Sequence, residues 1–174
     1  VFMSAPDYGA GHNMVDAFAN SFQAAGGEIL GIQFTPFPNM GDPAPFITEI
    51  QGANPPMVFC FYSGGAAVTF VQAYGEFGLS SSIPIVCAGF TVEEDVLPAQ
   101  GMAAMGVHSG LHWSLLLDNP VNRQFAADYK TRTGKDANVF SVQGYDTGHL
   151  ISDMLNLVEG DTSDVNKMID VLPG

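Results

Sequence analysis

The chain has 174 residues, a length that suits one domain or one large lobe of a two-lobed protein. Its composition, 47% hydrophobic and 13% charged, excludes a disordered chain, and no apolar run approaches the roughly 20 residues of a membrane-spanning helix. The net charge is −13 and no Lys or Arg precedes Arg123, so we expect no binding of nucleic acid or anionic lipid.

The beginning of the chain alternates between strand and helix patterns. Residues 1–5 predict a strand, and the turn after it leads into a helix that ends near Ala25. Gly26-Gly27 follows, and glycine adopts the left-handed conformation that often ends a helix. Residues 28–34 predict a second strand, and residues 46–53 predict a short helix.

The middle of the chain continues this alternation. Residues 57–62 are an unbroken apolar run, typical of a strand buried on both faces of a parallel sheet. Residues 83–88 and 102–111 predict a fourth and a fifth strand, separated by a short acidic helix that contains Glu93, Glu94 and Asp95. The sequence therefore predicts an α/β fold with a doubly wound, mostly parallel sheet plus C-terminal helices.

The helix predicted after the apolar run begins at Ser63-Gly64-Gly65. Spacings of three and four residues place five side chains on its buried face: Ala67, Val68, Val71, Tyr74 and Phe77. Ligands of such folds bind beyond the carboxyl ends of the strands, which makes the turn at Ser63 the first candidate site.

Three helices with little sheet are predicted after residue 117. Asp118-Asn119-Pro120 is typical of a helix start, and Gly134 ends that helix. Ser163 is predicted to cap the third helix. The second helix, over residues 139–159, is predicted to bury a stripe that includes Val142, Tyr145, Leu150, Ile151, Met154 and Leu157.

Motifs for enzymes and cofactors are incomplete. Tyr8-Gly9-Ala10-Gly11 lacks the third glycine of a dinucleotide-binding fingerprint, because Met14 stands at that position. Ser63 lacks the glycine two residues before it that a nucleophile elbow requires, although a small serine hydrolase using Ser63 stays an alternative. Cys60 and Cys87 predict buried thiols, with a disulfide left open. We expect no catalytic residues, metal or cofactor.

The turn at Ser63 favours ligand binding. A serine cap followed by Gly64 and Gly65 leaves helix N-terminal N–H groups exposed, and such groups bind a carboxylate without help from Lys or Arg. Three residues of the turns add flat surfaces suited to a small apolar or aromatic body: Tyr8, Tyr62 and Phe90. The sequence therefore predicts a site that holds a ligand rather than one that reacts with it.

The order of these motifs resembles the type I periplasmic solute-binding proteins, of the leucine/isoleucine/valine-binding type that serve ABC importers. The resemblance rests on Asp7-Tyr8-Gly9-x-Gly11, Gly26-Gly27, the loop over residues 36–42, Phe77-Gly78-Leu79 and Gly144-Tyr145-Asp146. It implies that residues 1–117 form the second ligand-binding lobe, and that residues 118–174 are a truncated helical segment belonging to the first lobe.

The resemblance also implies an extracytoplasmic, periplasmic location, a small-molecule ligand and a membrane permease as partner. Carried over by position, the ligand-binding residues are Tyr8, Ser63, Gly64, Gly65, Phe90 and Thr91. Both ends of the chain look cut, so we expect a fragment or a processed chain. A fragment of this kind is predicted to self-associate through the face that should meet the other lobe.

One departure from the family pattern concerns the ligand. The amino-acid binders carry a glutamate in the turn after the fourth strand, where it meets the ligand's ammonium group. Here that turn is Gly89-Phe90-Thr91, and an unpaired ammonium in a closed cleft would be costly. We therefore expect an aromatic or other apolar carboxylate, with a branched-chain amino acid as the alternative. The extracellular sensor lobe of a signalling receptor is a further alternative with the same fold.

Overall fold

A computed structural model describes residues 1–172 of the chain. These residues form two compact units, which divide between His112 and Trp113. The sequence places the boundary a few residues later, after Leu117, and the assignment of the two parts to lobes stays a prediction. Within the described residues, no helix combines the length and the hydropathy needed to cross a membrane.

The first unit contains a five-stranded sheet and four α-helices among its described residues. In chain order these are β1 (Phe2–Pro6), α1 (Gly9–Ala24), β2 (Gly31–Thr35), α2 (Ala44–Ala53), β3 (Val58–Cys60), α3 (Gly64–Glu76), β4 (Ile85–Ala88), α4 (Leu97–Gln100) and β5 (His108–Gly110). All four strand pairs are parallel, and the strand order is β2-β1-β3-β4-β5. This architecture confirms the predicted fold class.

The strand order changes direction between β1 and β3. The chain runs from β1 to one neighbour, β2, and then returns past β1 to β3 on its other side. At such a switch point the connections after the two central strands leave in opposite directions and open a crevice at the carboxyl edge. The loops after β1, β2 and β3 therefore meet at one place.

Two hydrophobic cores cover the two faces of the sheet, as the apolar run predicts. Val58, Cys60 and Tyr62 pack in one core with α2 and α3. Phe59 and Phe61 point the other way and pack with residues of α1. Because successive side chains of a strand alternate between faces, a strand buried on both sides needs an unbroken apolar run. Cys60 lies beside Cys87 of β4, and both are free, buried thiols.

Two predicted elements of the first unit are wrong. The fifth strand is limited to His108–Gly110, because Gly101 and Gly106 adopt positive φ values of 54° and 81° that interrupt an extended backbone. Glu93, Glu94 and Asp95 lie in a turn rather than a helix. The turn forms because the Glu93 carboxylate accepts a hydrogen bond from the Asp95 backbone N–H at 2.9 Å.

The buried face of α3 agrees with its prediction apart from its last residue. Ala67, Val71 and Tyr74 are buried and Val68 is half-buried, whereas Phe77 is 39% exposed. Phe77 follows the helix at its C-cap, so the helical spacing no longer sets its direction. Phe70, which the predicted stripe omits, is fully buried.

The described part of the second unit consists of α5 (Pro120–Thr133), α6 (Val139–Leu157) and α7 (Val165–Asp170). The predicted start of α5 is confirmed, since the Asn119 side chain accepts a hydrogen bond from the Asn122 N–H and Gly134 ends the helix with a φ of 73°. The cap of α7 is Asp164 rather than Ser163. The Ser163 hydroxyl instead donates a hydrogen bond to the Asp161 carboxylate.

The predicted stripe of α6 is only partly buried. Val142 is buried and Met154 is half-buried. Four other members of the stripe are 44–60% exposed: Tyr145, Leu150, Ile151 and Leu157. At 3.6 residues per turn these six positions spread over about 240° of the helix circumference, which is more than neighbouring elements on one side can cover.

Candidate functional site

A cleft of about 330 Å³ opens at the carboxyl edge of the sheet, at the switch point between β1 and β3. Three segments line it, and each follows a different strand. They are Pro6 and Tyr8 at the end of β1 and just beyond it, residues 36–40 after β2, and Ser63, Gly65, Ala66 and Thr69 after β3. The strand order therefore brings together residues that lie about 60 positions apart in the sequence.

Tyr8 is held between the end of β1 and the start of α1. Its backbone N–H donates to the Pro6 carbonyl at 2.9 Å, and the Asp7 N–H donates to the Thr35 carbonyl at 2.7 Å. The first bond closes the turn, and the second ties it to β2. The Tyr8 ring stacks on Phe37, with a centroid distance of 4.3 Å and an angle of 9° between the planes. The structure thus places Tyr8 in the cleft with one ring face covered by Phe37.

The turn before α3 forms the opposite wall. Ser63 occupies the predicted N-cap position with extended backbone, but its side chain makes no capping hydrogen bond. Gly64 has a φ of 53°, a left-handed conformation that explains the glycine. A side chain at Gly65 would meet nothing within 4 Å. The first N–H groups of a helix lack intrahelical acceptors, and this turn offers them to the cleft.

Thr91 occupies an interior position rather than a place in the cleft. It is fully buried in a 3₁₀ turn over residues 89–91. Its hydroxyl accepts a hydrogen bond from the Tyr62 N–H at 3.0 Å and donates one to the Tyr62 carbonyl at 3.1 Å. The side chain therefore connects the turn after β4 to the end of β3. This arrangement gives Thr91 a structural function.

Phe90 lies behind the cleft. It is half-buried and makes an edge-to-face contact with Phe61, at a centroid distance of 6.5 Å and an angle of 86°. Phe61 in turn stacks against Tyr8 at 6.4 Å and 21°. Phe90 thus belongs to the aromatic cluster that supports Tyr8, and the residues lining the cleft do not include it.

Tyr62 is not a surface for a ligand, contrary to the sequence prediction. It is fully buried, and its hydroxyl lies 2.8 Å from the Ser4 Oγ. The Gln33 side-chain amide donates to the same Ser4 oxygen at 2.9 Å. Burial raises the pKa of Tyr62 far above its usual value. The phenol is therefore a neutral member of a buried polar cluster that joins β1, β2 and β3.

The cleft has no charged side chain among its lining residues. All Lys and Arg residues of the chain lie at Arg123 or later, outside the first unit. Glu93, the first acid after β4, is 4% exposed, and burial raises the pKa of its carboxyl group. The N-termini of α1 and α3 both lie at the cleft, because their N-cap residues, Tyr8 and Ser63, line it. The positive ends of the two helix dipoles favour an anion over a cation.

Sequence reasoning missed eight residues that line the cleft: Pro6, Pro36, Phe37, Pro38, Asn39, Met40, Ala66 and Thr69. Phe37 lies between two prolines in a loop whose composition indicates only irregular structure. Thr69 lies in the second turn of α3, and its hydroxyl donates to the Gly65 carbonyl at 3.0 Å. Only the spacing of Thr69 from Gly65, four residues on the same helix face, could have identified it.

Within residues 1–172, the structure brings no three His, Cys, Asp or Glu side chains together as a metal site. His12 instead lies 2.7 Å from an Asp7 carboxylate oxygen, through its Nε2 atom. The Cys60 and Cys87 thiols are interior neighbours on β3 and β4.

Comparison with known proteins relates the whole chain to one group. A family model described as periplasmic binding protein matches residues 1–174. A Leu/Ile/Val-binding protein homolog of Brucella melitensis is 33% identical over 172 residues, which are 97% of this chain and 44% of that protein. This chain spans less than half the length of the curated relatives that it matches.

Solved structures give the same grouping. An ABC transporter substrate-binding protein from Sphaerobacter thermophilus superimposes with a TM-score of 0.92 and 31% identity, over 98% of this chain and 47% of that one. A solute-binding protein of an R. palustris ABC transporter, in complex with benzoate, gives a TM-score of 0.89 and 31% identity, over 98% of this chain and 46% of that one.

Proposed function

This chain belongs to the periplasmic binding protein family, and from that membership we propose that it is part of the solute receptor of an ABC importer. Its first unit is one ligand-binding lobe, and its second unit is a helical segment of the other lobe. The complete protein is extracytoplasmic, binds a small molecule between its lobes and delivers it to a membrane permease. Its action is binding rather than catalysis.

The ligand is a small aromatic or other apolar carboxylate. The observation that carries this assignment is the lining of the cleft, in which an aromatic wall at Tyr8 faces the N-terminus of α3 and no side chain is charged. The N–H groups at Ser63, Gly64 and Gly65 bind the carboxylate. Ring and apolar surfaces bind the remainder. A cleft of about 330 Å³ lies at the lower end of the range for small-molecule sites.

An amino-acid ligand is the less favoured alternative. Its ammonium group requires an anionic partner, and the cleft supplies none among its lining residues. Glu93 is buried and accepts a hydrogen bond from the Asp95 N–H. The benzoate complex of the R. palustris protein at 31% identity supports the aromatic assignment. The curated homologue named for Leu, Ile and Val keeps the alternative open.

A thermal-shift experiment on the complete protein tests the proposal, with benzoate and leucine as the two probes. A ligand at about a hundred times its dissociation constant adds roughly 2.7 kcal/mol to the free energy of unfolding. We expect benzoate to raise the melting temperature and leucine to leave it unchanged. Benzamide, which has the ring without the charge, is expected to bind at least several-fold more weakly. Stabilisation by leucine alone would contradict the aromatic assignment.

The same preparation separates binding from hydrolysis. Turnover of a p-nitrophenyl ester that is lost in the Ser63→Ala variant would indicate a serine hydrolase instead. The Ser80→Ala variant is the matched control, because Ser80 is exposed and does not line this cleft. We expect no turnover that depends on Ser63.

A further inference from the structure

Phe37 is an exposed aromatic residue in a constrained position. Its side chain is 55% exposed, although phenylalanine is usually buried. Pro36 and Pro38 flank it, and each proline restricts the backbone on its side of Phe37. The ring is therefore presented at the cleft by a loop with little conformational freedom.

The Phe37 ring is the outer end of a continuous series of aromatic contacts. It stacks on Tyr8 at 4.3 Å, and Tyr8 stacks on Phe61 at 6.4 Å. Phe61 is buried and contacts Phe90 edge to face. Phe61, Phe90 and Tyr8 pack in the hydrophobic core beside α1, so the Phe37 ring rests on a support that is anchored in the core. Phe37 and Tyr8 together form what we call the ring wall.

The wall opposite the ring wall has little bulk. It consists of the turn before α3, where a side chain at Gly65 would extend into open space. A planar molecule of moderate size can therefore lie between Phe37 and the backbone N–H groups of this turn. Its carboxylate would point to α3 and its ring would contact Phe37, since aromatic pairs prefer stacked or edge-to-face geometries.

We propose that Phe37 determines the selectivity of the cleft for planar aromatic carboxylates over saturated ones of the same size. This inference rests on the proposed function, because it assumes that a carboxylate occupies the cleft. Neither Ser63 nor the glycines beside it provide this discrimination, because backbone N–H groups bind benzoate and a saturated carboxylate alike. The interaction that differs is the one between two π systems, and the most exposed ring at the cleft is Phe37.

The test compares the affinities of benzoate and cyclohexanecarboxylate, measured by calorimetry on the complete protein. In the wild type we expect benzoate to bind more tightly. The Phe37→Leu variant is expected to lose roughly 2- to 10-fold in benzoate affinity, with little change for cyclohexanecarboxylate. Phe37→Tyr keeps a ring and should restore the preference. Phe77→Leu is the control, because Phe77 is a partly exposed phenylalanine outside the cleft.

The possible results separate a failure of this inference from a failure of the proposed function. If the wild type binds neither carboxylate, the proposed function fails and the inference fails with it. If the wild type binds both, and Phe37→Leu leaves their affinity ratio unchanged, only the assignment of Phe37 is overturned. Equal losses for both ligands would also overturn it, since they indicate a loss of contact area or of folding rather than of ring recognition. A melting temperature for each variant identifies a folding defect.

Discussion

At the scale of single residues, Glu93 is an acidic side chain that the fold buries. Its side chain is 4% exposed and its carboxylate accepts a hydrogen bond from the Asp95 N–H. Burial is the largest cause of its raised pKa, and the neighbouring Asp95 and Glu94 charges add to it, while the hydrogen bond opposes it. The folded state therefore binds the Glu93 proton more tightly than the unfolded state does, and burying the ionised form costs free energy.

We expect the Glu93→Gln variant to gain stability relative to the wild type as the pH rises. The stability that the raised pKa contributes is present below the usual pKa of glutamate and is lost as the pH rises through the folded pKa. The glutamine carbonyl can still accept the bond from Asp95. Melting temperatures at pH 4 and pH 7 measure the effect.

The Glu49→Gln variant is the control for Glu93→Gln, because Glu49 is an exposed residue of α2. A difference between Glu93→Gln and the wild type that is the same at both pH values would show that the Glu93 proton does not affect folding.

At the scale of elements, the first turn of α1 packs directly against the end of β1. A Cβ atom at Gly11 would lie 1.9 Å from the carbonyl oxygen of Pro6. Pro6 is paired with Thr35 of β2, so its carbonyl group cannot move without disturbing the sheet. Glycine at this position allows the close approach, and the approach positions Tyr8, which joins the two elements.

We expect Gly11→Ala to destabilise the protein by about 1–3 kcal/mol, because the methyl group forces α1 away from β1. Gly9→Ala is the matched control, since a side chain at Gly9 would meet nothing within 4 Å. Surface substitutions of that kind change stability by less than about 0.5 kcal/mol. Urea unfolding of the two variants measures the difference, and equal stability of the two would refute the close approach.

At the scale of the whole molecule, the second unit exposes a large apolar surface. Leu150, Ile151 and Leu157 of α6 are 47%, 48% and 60% exposed, and the helical repeat places these three on one side of the helix. Contiguous apolar surfaces of this kind commonly mark an interface. In the proposed function, this side of α6 meets the remainder of the other lobe in the complete protein.

The 174-residue chain by itself is therefore expected to self-associate through α6. Light scattering across a concentration series should show an apparent mass that rises with concentration. The double substitution Leu150→Glu/Ile151→Glu should lower that mass toward the monomer. Leu116→Glu changes an 87% exposed residue outside α6 and serves as the control for added charge. A monomeric wild type at every concentration would contradict the expectation.

The sequence by itself determined the fold class and several boundaries. The apolar run at residues 57–62 predicts a doubly buried strand, because a strand with a core on each face has no polar side. Asn119 predicts the start of α5, because a cap is a contact within one turn of the chain. Both signals are local, so no knowledge of distant residues is needed.

Only the tertiary structure decided which residues share the cleft. Tyr8, Ser63 and Gly65 follow from the rule that ligands bind at the carboxyl ends of strands, and the structure brings these residues to one cleft. Phe37 joins them only because β2 lies beside β1, and a strand order is a long-range pairing that no short window contains. Thr91 does not line the cleft, and the reason is again a long-range contact. Its hydroxyl forms hydrogen bonds with the backbone of Tyr62, 29 residues away in the sequence.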